Sequence, residues 1–171
     1  MAITRLNNNS ASSITTLSAV TSVPNLASLP SGLVANTPAF RKRMASDQSL
    51  SGNAWTKIQF NETAGIDTDN DFDATTNYRF TPSVSGKYFI YSTVTLNGTT
   101  DFDDANIAIY YNGSQEQTST FRQTYYQTLS TSGIFSFNGS TDYVETYVYV
   151  PQAFNTYNGT KPVFGGFRII E

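Results

Sequence analysis

The placement of the aromatic residues constrains this chain more than any other feature. All 24 of them (12 Phe, 11 Tyr and 1 Trp) lie at or after Phe40. Residues 1–36 hold no ring and one charged side chain, Arg5, among Ser, Thr, Asn and small apolar residues. A segment of that composition buries too little apolar surface to offset its own ordering entropy. The chain therefore reads as two parts: an extended arm over residues 1–37 and a core-bearing domain over residues 38–171.

The domain's apolar residues come in short runs rich in aromatic and β-branched side chains, which favour strands. Strands are expected at 88–96, 106–111, 133–137, 142–150 and 163–170. Asn-Gly pairs at 97–98, 112–113, 138–139 and 158–159 fall between or after these runs, where tight turns belong. Many short strands with regular turns indicate an all-β sandwich or barrel. In the run 142–150, Val144, Thr146, Val148 and Val150 share one face, and Tyr143, Glu145, Tyr147 and Tyr149 share the other. In the run 88–96, Tyr88, Ile90 and Val94 face one way, yet Phe89 and Tyr91 face the other. Two apolar faces predict burial on both sides.

The arm has its own pattern. Ile14, Leu17, Val20, Val23, Leu26 and Leu29 recur every third residue, with Pro24 and Pro30 between and beyond them. That period fits neither an α-helix nor a strand and matches polyproline II. The six aliphatic residues would line one edge, and an apolar edge calls for a docking partner.

Composition removes whole classes of chemistry. Without Cys or His there is no thiol or imidazole catalysis and no zinc ribbon. No nucleophile elbow, phosphate loop or dinucleotide turn occurs, so an enzyme is not expected. A net charge of −3 and the small basic cluster Arg41-Lys42-Arg43 argue against a nucleic-acid partner. That cluster reads as a solvated strand edge or as the partner of the acidic loop. No apolar stretch is long enough for a membrane-spanning helix. The first residues lack the continuous apolar run of a secretion signal and do not read as one. The Asn-x-Ser/Thr sites at Asn8, Asn61, Asn97, Asn112, Asn138 and Asn158 read as turns in a Ser/Thr-rich chain. Asp67, Asp69, Asp71 and Asp73 alternate in sequence, and their carboxylate oxygens suit Ca²⁺ as a cofactor. They do not follow the EF-hand pattern, since Phe72 and Tyr78 stand at its sixth and twelfth positions.

The segment Asp71-Phe-Asp-Ala-Thr-Thr-Asn-Tyr-Arg-Phe80-Thr-Pro-Ser-Val-Ser-Gly86-Lys-Tyr88-Phe-Ile-Tyr91 resembles the central signature of C1q-like domains. Phe80, Thr81, Pro82, Gly86 and Tyr88 match, and Ile90 replaces the usual Phe. Ala39-Phe40 and Trp55-Thr-Lys-Ile58 with Phe60-Asn61 look like the first strands. Asp142-Tyr-Val144 and Phe164-Gly-Gly-Phe167 look like the closing motifs. The resemblance implies a ten-strand jelly roll of the C1q/tumour-necrosis-factor type, assembled as a homotrimer. Phe89, Tyr91, Phe135, Phe137, Phe164 and Phe167 are then the expected trimer-interface residues.

The opening Met1-Ala-Ile-Thr-Arg-Leu-Asn-Asn-Asn-Ser10, with Leu29-Pro-Ser-Gly-Leu33, looks like the start of small virion proteins of marine tailed phages. This resemblance implies a trimeric knob on the virion surface, as a tail-fibre tip, head fibre or decoration. Residues 1–36 would dock on other virion proteins. The knob would adhere to a host-surface glycan or protein through exposed tyrosines: Tyr110, Tyr125, Tyr126, Tyr143, Tyr147 and Tyr149. Two alternatives stay open at this stage: a virion cement protein with no receptor, and a secreted C1q-like recognition module or lectin.

Overall fold

The structure is a computed structural model that describes residues 36–97, 102–123, 126–160 and 162–169. The described residues form no helix. They form thirteen strands: β1 (Ala39–Lys42), β2 (Ser49–Leu50), β3 (Ala54–Lys57), β4 (Ile66–Asp67), β5 (Phe72–Asp73), β6 (Arg79–Phe80), β7 (Gly86–Asn97), β8 (Phe102–Tyr111), β9 (Ser114–Gln123), β10 (Tyr126–Phe137), β11 (Val144–Val150), β12 (Phe154–Thr156) and β13 (Val163–Arg168). The ten expected strands become thirteen because loops near the start contribute two-residue bridges such as β2, β4 and β5.

The strands make two antiparallel sheets. In sheet A the order is β2-β12-β7-β13-β1-β4, with β10 also paired to β7. In sheet B it is β5-β6-β11-β8-β9, with β3 also paired to β11. The backbone of β7 organises sheet A: β10 pairs with it over twelve residues, from Tyr126↔Asn97 to Phe137↔Gly86. The β8–β9 hairpin closes on Asn112 and Gly113, whose φ values of 50° and 81° are the positive pair a type I′ turn needs.

The sheets pack face to face. One end of the core is aromatic. Phe40 stacks on Phe80 at 4.1 Å and on Phe72 at 5.3 Å, and meets the edge of Phe164 at 5.0 Å. Tyr88 and Phe137 continue this cluster at 5.1 Å. Burial pushes the Tyr88 phenol up to about 12, against the pull of Arg168, with Asp71 and Asp69 adding to the rise. Its hydroxyl donates to the Val84 carbonyl at 2.7 Å. The rest of the core is aliphatic, built from Leu50, Val94, Leu96, Ile107, Ile109, Leu129, Val148 and Val150, all buried. One polar pair crosses the interior, Thr146 Oγ1 donating to Ser92 Oγ at 2.9 Å, so both buried hydroxyls are satisfied.

The alternation expected of β11 holds: Val144, Thr146, Val148 and Val150 point inward and are buried. The faces expected of β7 hold as well, with Tyr88, Ile90 and Val94 inside and Phe89 and Tyr91 half-buried outside. Three expected interface residues lie on the other face. Phe137 and Phe164 are buried in the core, and Phe135 leans against it from the inner side, 6.0 Å from Tyr111. Register explains the difference. Directly paired residues share a face. Phe164 pairs with Ser92, and Phe135 with Tyr88, both inward positions of β7, and Phe137 keeps the parity of Phe135. The arm residues Ile14, Leu17, Val20, Val23, Leu26 and Leu29 lie outside the described residues, as does Tyr125.

Candidate functional site

The outer face of sheet A carries a row of side chains set by register. Ala39, Phe167, Phe89 and Ile134 stand abreast across β1, β13, β7 and β10. The next row is Ile66, Arg41, Gly165, Tyr91 and Ser132. The rings pack on one another, Phe89 lying 6.2 Å from Tyr91 and 5.7 Å from Phe167. Gly165 makes room for Tyr91: a Cβ there would come within 2.5 Å of the end of the ring. Ile134 remains 64% exposed, Ile66 52% and Phe167 39%. These three lie close together on this sheet face, and Tyr126, at the parity of Ile134 on β10, stands on it further along. Beside Phe89 and Tyr91 opens a cleft of about 450 Å³, walled by Gln117 and Ser119 of β9 and by Ser130 and Ser132 of β10.

The outer face of sheet B is different in chemistry. Tyr147 and Tyr149 of β11 stand beside Lys57 and Trp55 of β3 in register. Tyr110 of β8 closes the group, 4.1 Å from the Tyr147 ring and 6.0 Å from Trp55, and Trp55 lies 5.8 Å from Tyr149. Ala108, paired with Tyr147, is fully buried there. Hydroxyls and amides surround the rings. Tyr149 donates to Asn53 Oδ1 at 3.3 Å, and Tyr110 donates to Gln115 Oε1 at 3.4 Å. At one margin Lys57 Nζ donates to Glu145 Oε1 at 2.5 Å and to the Asn77 carbonyl at 3.4 Å, while Tyr147 donates to Glu145 Oε2 at 3.4 Å. Burial alone would lower the Lys57 ammonium, but the hydrogen bond and charge of Glu145, aided by Tyr147, raise it above its usual value. Burial raises the phenols of Tyr110 and Tyr147.

Of the expected ligand tyrosines, the fold brings together Tyr110, Tyr147 and Tyr149. Tyr143 is on the same strand side but lies under Arg79, whose guanidinium is 4.2 Å from its ring. Tyr126 belongs to sheet A, 44% exposed and edge-on to Tyr157 at 5.4 Å. Trp55, Lys57 and Glu145 were not singled out as site residues from the sequence. The outward parity of Glu145 with Tyr147 and Tyr149 was legible, whereas the β3–β11 pairing that delivers Trp55 spans about ninety residues of chain.

Of the aspartates expected as Ca²⁺ ligands, Asp67, Asp71 and Asp73 take up hydrogen bonds within the protein. Asp67 accepts the backbone N–H groups of Asp71 and Phe72, and faces Lys42 at 3.7 Å. Asp71 accepts from the amide and hydroxyl of Ser83. Asp73 accepts five hydrogen bonds from Thr75, Thr76 and Asn77. Asp67, Asp71 and Asp73 thus each accept from nearby backbone amides, and no group of three metal-ligating side chains is found among the described residues. Of the basic cluster, Lys42 follows the second of its two readings: it is buried and faces Asp67 of the acidic run.

No protein-family profile matches the chain, and no curated protein matches it by sequence. Its fold does have counterparts: 197 chains of solved structures match it. One is the crystal structure of murine APRIL at pH 5.0, at a TM-score of 0.59 and 12% identity, covering 77% of this chain and 98% of that one. The domain is a jelly roll of the tumour-necrosis-factor type. A fold shared this widely fixes architecture and leaves function to the surfaces.

Proposed function

We propose that this chain is a non-enzymatic structural protein whose jelly roll assembles as a homotrimeric knob and adheres to a surface, with residues 1–37 as its anchor. The observation that carries the reading is the outer face of sheet A. A lone soluble domain rarely leaves Ile134, Phe167 and Ile66 uncovered on one face around a half-buried Phe89–Tyr91 pair. Burying such a face against sister copies stabilises a closed ring. Association through sheet A leaves sheet B outward, where its tyrosines and Trp55 suit recognition, because a ring with a polar tip gives contact area at small entropy cost. The likeness of residues 1–10 and 29–33 to small phage virion proteins supports a place on a virion surface, with assembly in the host cytoplasm.

Sedimentation equilibrium of the full chain, run beside a binding assay on a panel of bacterial cells, tests this. The expected result is a particle of three times the 18.8 kDa chain that binds at least one strain. A monomer at micromolar concentration would overturn the trimer. A trimer that binds no cell but whose removal weakens its particle would identify a cement protein instead.

A further inference from the structure

We infer that the outer face of sheet B binds an uncharged saccharide, laid across Trp55, Tyr110 and Tyr149. This deepens the adhesion reading above and rests on it. The chemistry of the face selects the ligand. Its rings are held by one another at 4.1 to 6.0 Å, so little side-chain freedom is lost on contact. Pyranose rings present an apolar C–H face to an aromatic ring and hydroxyls around its rim. The rim here is matched: Asn53, Asn106 and Gln115 amides and the Tyr149 and Tyr110 hydroxyls surround the rings. Two of those hydrogen bonds, at 3.3 and 3.4 Å, are long and are readily exchanged for bonds to a ligand hydroxyl.

Charge separates this ligand from its competitors. The charged side chains of the face are engaged: Lys57 with Glu145, Arg122 with Asp104 at 3.1 Å, and Arg79 over Tyr143. Among the described residues of the face, an acidic glycan therefore meets only cations already held by a carboxylate or a ring. A hydrophobic protein partner meets no exposed aliphatic anchor either, because the exposed large hydrophobics among the described residues are Ile66, Ile134, Phe167, Tyr126 and Tyr157, none of them on this face. What is left is aromatic carbon edged with amides and hydroxyls, the complement of a neutral sugar.

Trp55 is the chain's single tryptophan, so its emission reports this face alone. The test probes the full chain with an array of neutral, sialylated, uronic and sulfated oligosaccharides, then titrates the strongest binders while following that emission. The expected result is saturable binding of neutral oligosaccharides with a change in Trp55 emission. Binding weakens at least tenfold in Tyr149→Ala and Trp55→Ala, each checked for native circular dichroism, and is unchanged in Tyr126→Ala. Binding restricted to acidic glycans and abolished by salt would overturn the inference. So would neutral-glycan binding that leaves Trp55 emission and the Tyr149→Ala affinity unchanged. Cell binding that survives glycosidase and is lost to protease would assign the face a protein partner, leaving adhesion intact. Failure to bind both array and cells would remove the adhesion reading itself.

Discussion

Asp73 shows how one side chain sets up a region of the surface. Its carboxylate takes the amides of Thr75, Thr76 and Asn77 at 2.9 to 3.0 Å, together with the Thr75 hydroxyl and the Asn77 side chain. This fixes the turn whose Asn77 carbonyl meets Lys57. The Thr76 amide leads the other donors in holding the carboxyl far below the usual carboxylate range, against the opposing pull of burial. A depressed folded-state value means stability that is fully present above the ordinary carboxylate pKa of about 4 and lost as pH falls below it. Asp73→Asn should therefore cost about 1 kcal/mol at pH 7, a figure kept small by solvent screening. The cost should shrink at pH 3, where the unfolded wild-type carboxyl is already largely protonated. Urea unfolding of both proteins at the two pH values checks this, and an equal difference at both would show that charge plays no part. The acidic run was conspicuous in the sequence, but its role was not legible there. Alternating carboxylates look alike in a sequence, and the amides that Asp73 gathers become visible only once the backbone is folded.

At the scale of elements, legibility followed side-chain chemistry. Strands with strong patterns, β7 and β11, could be read down to which residue faced which way. The strand β9, Ser114–Gln123, has polar residues on both sides and no apolar period, so only its partner β8 and the Asn112–Gly113 turn reveal it. Pairings between distant segments were also out of reach: the sequence assigned Phe164 to an interface, and its pairing with Ser92 puts it in the core. The neighbouring glycines of β13 express the same parity and give a prediction. A Cβ on Gly166 would come within 2.5 Å of Ile90 Cδ1 and 2.8 Å of the Phe89 carbonyl oxygen, with Phe40 at 3.1 Å. Backbone cannot retreat from it, so Gly166→Ala should destabilise by roughly 1–3 kcal/mol or more. A Cβ on Gly165 meets only the far end of the Tyr91 ring, which can swing toward solvent. Gly165→Ala should cost clearly less. Urea midpoints compare the two, and a reversed order would contradict the face assignment of β13.

For the whole molecule, the decisive quantity is what covers sheet A, and exposure in the single chain lets association be tested apart from folding. Ile134 is 64% exposed, so Ile134→Asp removes little burial from an isolated domain and should change its stability by no more than about 0.5 kcal/mol. In a trimer that buries the row Phe167–Phe89–Ile134, the same substitution leaves an unpaired carboxylate in an apolar contact, which costs several kcal/mol. Thermal unfolding of the dissociated chain should thus be nearly unchanged while sedimentation shifts from trimer toward monomer. Phe89→Asp, at the centre of the row, should dissociate the trimer more completely, with some loss of fold because Phe89 also packs on Tyr91 and Phe167. Together the two variants separate outcomes that either alone would confuse. Dissociation by Ile134→Asp without loss of fold assigns the face to association. A trimer mass unaffected by both substitutions would place the subunit contacts elsewhere, and the exposed row would then need a partner other than a sister chain.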